Sequence, residues 1–275
     1  MSLNGPAGIR RLAVLGHPVS HSRSPVMQNA ALADLGLDAG WEYEAIDVEP
    51  ERFSDFVRGM EYEGFAGANV TVPHKEAAIA LADEATAAAK AIGAANTLSF
   101  ASGRILADNT DAPGLIDSLP SSPDGSKALL LGAGGAARAV LWALVTAGAD
   151  VSVWNRTRSR AESLTEELGG TVVEKGFGGS GGREFDLIVN SSAAGLGDTD
   201  GLGELPLGTD SFRPGQVVVD MVYGKTAGTL LTAAREAGAD TVDGLEILVR
   251  QGARSFALWT GRDPSLDVMR AAARG

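Results

Sequence analysis

The stretch LLLGAGGAARAV, residues 129–140, sets an apolar run, a glycine turn and an alanine-rich helix start in immediate succession. Gly132, Gly134 and Ala137 occupy the G-x-G-x-x-G/A positions. The first glycine permits the tight turn, and the second lets a diphosphate approach the backbone. The small third residue allows close helix–strand packing, while the helix start offers N–H groups and a positive dipole end. A bare glycine turn can be merely structural. The strand–turn–helix context is what favours dinucleotide binding.

Working outward, apolar runs at 151–154, 187–189 and 217–220 read as further buried strands. Amphipathic stretches at 137–147 (closed by Gly148) and 158–168 read as helices. Upstream, strands are predicted over 12–15, 43–46, 65–70 and 97–100, with helices over 25–35, 50–60 and 75–82. Such alternation predicts an α/β protein built of βαβ units around mainly parallel sheets. The Gly-rich polar segments 176–182 and 197–209 read as surface loops. The pattern breaks at PGLIDSLPSSPDG, residues 113–125, which marks a domain boundary. The last stretches, 245–259 and 264–273, are helical, and periodicity does not decide which domain they close.

The chain of 275 residues is long enough for roughly two domains at ~100–200 residues each. Its formal net charge of -12 opposes a polyanionic partner, so no nucleic acid is expected. The absence of cysteine removes disulfides, thiolate metal sites and a Cys nucleophile. No stretch approaches the ~20 apolar residues of a membrane span, and residues 1–11 hold no signal-like apolar core. A soluble cytoplasmic protein without a membrane partner is the expectation.

The residues after the second strand of the glycine-turn unit discriminate between cofactors. An NAD site usually places a carboxylate there for the ribose 2′-hydroxyl. This chain reads Asn155-Arg156-Thr157-Arg158-Ser159-Arg160. Guanidinium groups suit a 2′-phosphate through charge and paired hydrogen bonds, which favours NADP over a merely solvated basic helix start.

A second set of polar residues lies upstream. In GHPVSHSRSP, residues 16–25, Ser24 before Pro25 reads as a helix N-cap. The hydroxyls of Ser22 and Ser24 there could bind a carboxylate, or Ser24 could only cap its own helix. NVTVPHK, residues 69–75, puts Asn69 and Thr71 at a strand end and Lys75 at a helix start, where a cation opposes the dipole. Asn96-Thr97 and Asn109-Thr110-Asp111 add amides, hydroxyls and one carboxylate. The set suits a small polyhydroxylated acid, with a Lys/Asp pair for proton transfer, although each residue alone is an ordinary turn or cap residue. All three histidines, His17, His21 and His74, fall in these segments. No carboxylate stands at ligand spacing from them in sequence, so no metal is expected.

Taken in order, HSRSP, NVTVPHK, GAANTL, NTDAPG, LGAGGAARA, NRT, DMVYGKT and DGLEILVRQGARSFALWTG resemble the shikimate dehydrogenase family over nearly the whole chain. The resemblance implies a substrate domain of residues 1–112 and 244–275 and a Rossmann-type NADP-binding domain of residues 113–243. A cleft would lie between them, and the C-terminal helices would return to the substrate domain. It implies reversible NADP-dependent reduction of 3-dehydroshikimate to shikimate, a step toward chorismate and the aromatic amino acids. Ser22 and Ser24 would hold the substrate carboxylate. Asn69, Thr71, Asn96, Asp111 and Gln251 would take the ring hydroxyls, with Tyr223 nearby, and Lys75 would be the general acid/base paired with Asp111. Gly132, Ala133, Gly134, Gly135 and Ala136 would bind the diphosphate. Asn155, Arg156, Thr157 and Arg160 would bind the adenosine phosphate, while Met221 and Gly244 would flank the nicotinamide.

Three positions depart from the family pattern. Gln28 stands where His is common, Glu246 replaces a glycine, and KTAGTLL, residues 225–231, lacks a usual proline. Quinate or an amino-substituted analogue as substrate, and a non-catalytic ligand sensor, are the competing readings. Oligomeric state, including a homodimer, is left open.

Overall fold

The computed structural model describes residues 8–173, 180–195, 200–223 and 228–275. The loop readings over 176–182 and 197–209, and the motifs DMVYGKT and KTAGTLL, run partly outside these described residues. The chain divides into two units, one of residues up to Thr110 together with Val249–Gly275, the other Asp111–Leu248.

The first unit opens with β1 (Arg10–Gly16), α1 (Ser24–Asp34), β2 (Trp41–Asp47), α2 (Phe53–Gly59) and β3 (Phe65–Val70). It continues through α3 (Lys75–Leu81), β4 (Glu84–Ala85), α4 (Ala87–Ile92), β5 (Thr97–Ala101) and β6 (Arg104–Asp108). The second unit runs α5 (Asp111–Ser118), β7 (Lys127–Leu131), α6 (Gly135–Thr146), β8 (Asp150–Trp154), α7 (Arg158–Leu168), β9 (Thr171–Val172), β10 (Leu187–Asn190), β11 (Val217–Asp220), α8 (Thr229–Glu236) and β12 (Asp240–Asp243). Then come α9 (Gly244–Thr260), inside which the division between units falls, and α10 (Leu266–Arg274).

In the second unit the sheet order is β12-β11-β10-β7-β8-β9, with every pairing parallel. Counted from β7, that is the 3-2-1-4-5-6 order of the doubly wound dinucleotide-binding fold. Leu129 and Leu131 pack on one face with Ile188, Val218 and Leu230, while Ala128 and Leu130 pack on the other with Val140, Leu144 and Val153. Burial on both faces explains why these strands read as continuous apolar runs.

The first sheet, ordered β2-β1-β3-β5-β6-β4, departs from the parallel expectation. Strands β1, β2 and β3 are parallel, but β5 runs antiparallel to both β3 and β6. Ser102 and Gly103 join β5 to β6 as a two-residue turn with both φ positive, at 57° and 75°. That geometry matches the right-handed twist of a hairpin. Leu12 and Val14 face Tyr43 and Trp259, whereas Ala13 and Leu15 face Phe53, Val57 and Leu98. Gly67 is required on the first of these faces, because a Cβ there would overlap the Trp259 indole, whose Nε1–H donates to the Leu98 carbonyl at 3.0 Å.

The stretch 113–125, which reads as an interruption, contains most of α5. Pro113 lies in the helix's first turn, where its missing N–H breaks no helical bond. Short elements such as β4, β9 and β12 are too brief to carry a period.

Candidate active site

The polar segments of the first unit gather at one end of its sheet. Parallel β1 and β3 both finish there, since Leu15 pairs with Val70, and antiparallel β5 begins there, since Thr97 pairs with both Asn69 and Asp108. A Cβ on Gly16 would stand 2.5 Å from Thr71 Cγ2, so the turn after β1 lies directly against the turn after β3. The Thr71 N–H donates to Leu15 O at 2.8 Å and the His17 N–H to Val72 O at 3.0 Å.

Ser24 is not the N-cap of α1. Arg23 holds that position with helical backbone angles, Ser24 is already the first helical residue, and no side chain caps the helix. Ser22 instead accepts the Ser24 N–H on its Oγ at 3.2 Å. The Arg23 guanidinium reaches the end of α10, donating to Ala273 O at 2.9 Å and Ala272 O at 3.4 Å, where cations meet orphaned carbonyls favourably.

Lys75 is half-buried and opens α3, and its carbonyl accepts the Ala95 N–H at 2.9 Å. His74 before it is buried, donates from Nε2 to the Val48 carbonyl at 2.7 Å, and stacks on Phe53 with centroids 4.3 Å apart. Burial holds its pKa below the ordinary imidazole value, so it is a neutral anchor for the turn that carries Lys75.

A carboxylate does meet His17, from a strand the sequence spacing does not reveal. Asp47 Oδ1 lies 2.6 Å from His17 Nδ1, and Oδ2 accepts the Val19 N–H at 3.2 Å. Their mutual hydrogen bond raises the histidine pKa and lowers that of the aspartate. Among the described residues no three His, Cys, Asp or Glu side chains come together to hold a metal ion.

Asn69, Asn96 and Gln251 meet in one buried network. Asn69 Oδ1 accepts from Tyr43 OH at 2.8 Å, and Asn69 Nδ2 donates to Ser255 Oγ at 2.9 Å. Asn96 Oδ1 accepts the Thr110 N–H at 2.7 Å, which turns Asn96 Nδ2 toward Gln251 Oε1 at 3.1 Å. Asp111 follows Thr110 directly, opens α5 and is buried. Tyr43 and Ser255 escape the sequence reading, although Ser255 lies one helical turn beyond Gln251 on the same face.

Two of the three departures from the family pattern find local explanations, and the third, at 225–231, lies partly outside the described residues. Gln28 is fully buried in α1 and donates from Nε2 to the Gly252 carbonyl at 3.0 Å, binding α1 to α9. Glu246 lies in the first turn of α9, its N–H given to Asp243 Oδ1 at 2.9 Å, where an acid complements the dipole.

In the second unit the expected nucleotide residues lie at the carboxyl ends of the parallel strands. Gly132 has φ 116°, donates its N–H to Trp154 O at 2.8 Å, and would press a Cβ to 2.9 Å from Ser191 Oγ. Gly134 differs: a Cβ there would meet nothing within 4 Å, so the turn is open at this position. Asn155 donates from Nδ2 to Thr157 O at 2.8 Å, shaping the bend after β8. Arg158 pairs with Glu162 at 2.7 Å. Arg156 and Arg160 are exposed and make no side-chain ion pair among the described residues. Met221 follows β11, and its carbonyl so fills the space beside Gly244 that no Cβ fits there. Tyr223 is half-buried two residues on. Open glycine turn, helix N-terminus and arginines beyond the second strand together fit a phosphorylated dinucleotide.

Asp220, at the end of β11, is a buried acid that motif reading passes over. Its Oδ1 accepts from Asn190 Nδ2 at 2.9 Å and from the Val222 N–H at 3.1 Å, yet burial lifts its pKa to about 6. A carboxyl with a raised native pKa binds more protons folded than unfolded. Stability therefore falls as pH rises from about 4 through about 6, by on the order of 2–3 kcal/mol. Asp220→Asn keeps the acceptor oxygen and removes the charge. It is expected to raise Tm near pH 8 and to change it little near pH 4, as a pH series of thermal melts would show. An equal shift at both pH values would contradict the assignment.

A doubly wound sheet with this glycine turn at its strand-order reversal defines a dinucleotide-binding protein, here joined to a separate polar-site unit. Family models match in three blocks: shikimate dehydrogenase substrate binding domain over residues 14–98, shikimate/quinate 5-dehydrogenase over residues 116–194, and shikimate 5′-dehydrogenase C-terminal domain over residues 244–274. The shikimate dehydrogenase (NADP(+)) of Methanopyrus kandleri is 43% identical, with 99% of this chain and 97% of the relative covered. That of Methanocella arvoryzae is 44% identical over 95% and 97%. The crystal structure of Thermus thermophilus shikimate 5-dehydrogenase in complex with NADP(H) and shikimate is 41% identical, with a TM-score of 0.87 over 97% of this chain and 99% of that one. The chain belongs to the shikimate dehydrogenase family.

Proposed function

We propose that the protein catalyses the reversible NADP-dependent reduction of 3-dehydroshikimate to shikimate, a step toward the aromatic amino acids. The observation that carries this reading is the buried network joining Asn69, Asn96 and Gln251 at one end of a sheet, beside the turn that carries Thr71, in a chain whose other unit is built to hold a dinucleotide.

NADPH, when bound, would supply the hydride for the carbonyl carbon. The Lys75 ammonium gives its proton to the carbonyl oxygen, so that C=O becomes CH–OH, with Asp111 as its paired carboxylate. In the reverse direction the amine accepts the hydroxyl proton. Ser22 and Ser24 hold the substrate carboxylate, while Asn69, Thr71, Asn96, Asp111 and Gln251 orient the ring hydroxyls, with Tyr223 beside them. Gly132 to Ala136 hold the diphosphate, Asn155, Arg156, Thr157 and Arg160 the adenosine phosphate, and Met221 and Gly244 the nicotinamide. Residues 1–112 with 244–275 would form the substrate domain, and 113–243 the NADP domain.

Retention of both Lys75 and Asp111 speaks against a non-catalytic sensor. The net charge of -12 fits a small-molecule substrate rather than nucleic acid. No helix among the described residues is long and apolar enough to cross a membrane, and we place the enzyme in the cytoplasm. Following reduced-nicotinamide absorbance with shikimate or quinate, each with NADP or NAD, tests the reading. Fastest turnover with shikimate and NADP is expected; a strong preference for quinate and NAD would overturn it.

A further inference from the structure

Three amides that the proposed function assigns to substrate are oriented by groups deeper in the first unit. An amide presents an acceptor at one end and donors at the other, so a half-turn about its last bond exchanges what a ligand meets. Asn69 is clamped from both ends. The Tyr43 hydroxyl donates to its Oδ1 at 2.8 Å, while its Nδ2 faces Ser255 Oγ at 2.9 Å, with Asn96 O at 3.2 Å and Thr97 Oγ1 at 3.3 Å.

Ser255 is the junction of this arrangement. Its Oγ lies 2.8 Å from Thr97 Oγ1 and 3.1 Å from Thr110 Oγ1, and it also reaches the main-chain carbonyl of Gln251 at 3.2 Å. Accepting from Asn69, the hydroxyl has its own proton to pass on to one of these three oxygens. Thr110 in turn bonds Asn96 Oδ1 through its N–H at 2.7 Å and its hydroxyl at 3.2 Å, and Asn96 Nδ2 bonds Gln251 Oε1 at 3.1 Å. One hydroxyl with no solvent exposure thus ties Asn69, Asn96 and Gln251 together.

We propose that Ser255, acting with Tyr43 from the opposite end of Asn69, is a positioning residue that fixes which face of the substrate-binding amides is offered to the ring hydroxyls. The inference rests on the shikimate dehydrogenase reading. Both side chains are buried and reach the amides by hydrogen bonds, Tyr43 through Asn69 and Ser255 through Asn69 and Thr110.

The test is steady-state kinetics on Ser255→Ala, Tyr43→Phe and the double variant, with shikimate and NADP varied separately. Each single variant is expected to raise KM for shikimate about tenfold, the loss of one buried hydrogen bond. KM for NADP should stay within about twofold, since the nucleotide residues lie in the other unit. The double variant should raise KM for shikimate by less than the product of the two, because both clamps act on one amide. Tyr43→Phe retains the ring packed against Trp259, so it carries the test if Ser255→Ala fails to fold. A purely structural role would lower Tm and the active fraction while leaving KM unchanged, and that result overturns the proposal. A wild-type protein that leaves shikimate unoxidised overturns the parent reading, and this inference with it.

Discussion

Lys75→Ala is expected to lower kcat for shikimate oxidation by about 10²–10⁴-fold, while KM for shikimate and NADP changes only a few-fold. General acid–base groups contribute that much when positioned, and a group acting chiefly in the transition state is felt in kcat more than in binding. The local structure makes the experiment clean. The turn carrying Lys75 is held by His74 on Val48 and Phe53, and by the Lys75 carbonyl on the Ala95 N–H. None of these uses the ammonium, so truncation should leave the turn in place. Steady-state kinetics with a thermal melt as control decides the matter, and an unchanged kcat would remove Lys75 from the reaction.

Arg156→Asp is expected to raise KM for NADP by about 10–100-fold and to leave KM for NAD nearly unchanged. A guanidinium can bond a 2′-phosphate bidentately, whereas a carboxylate in its place repels the dianion, and solvent at this exposed site tempers both effects. Arg156 makes no side-chain ion pair among the described residues, so the substitution disturbs little else. Comparing kcat/KM for the two cofactors measures the effect, which should shrink in high salt. Equal losses for NADP and NAD would show that Arg156 does not read that phosphate.

The second sheet was legible because burial on both faces writes its strands as unbroken apolar runs, and because the glycine turn needs particular residues at particular positions. The β5–β6 hairpin was less so. Its strands are short, and the Ser102-Gly103 turn is a weaker signal than a glycine fingerprint. In the site, motif residues such as Asn69, Asn96 and Lys75 were readable from composition and order. The partners that orient them were not, since Tyr43 and Ser255 reach Asn69 across 26 and 186 residues of chain. Asp47 likewise reaches His17 from the end of β2, across 30 residues. Spacing along the chain records helix faces and turns; it does not record which strand ends become neighbours. Ser24 shows the converse, for a Ser-Pro pair fits the helix start so well that a one-residue offset in the cap is invisible without backbone angles.

The seat of Trp259 over Gly67 has a consequence for biosynthesis. The sheet of the first unit is translated early, but its indole and the hydroxyl and amide of Ser255 and Gln251 leave the ribosome only with Val249–Gly275. The second unit is one contiguous segment, so nearly all of it is synthesised before those groups appear. Meanwhile the earlier strands wait with an unfilled notch at Gly67 and without the Ser255 and Gln251 partners of Asn69 and Asn96. Premature termination in the last few dozen codons would therefore spare the nucleotide fold and leave the substrate half a sticky, unfinished intermediate for chaperones and proteases to sort.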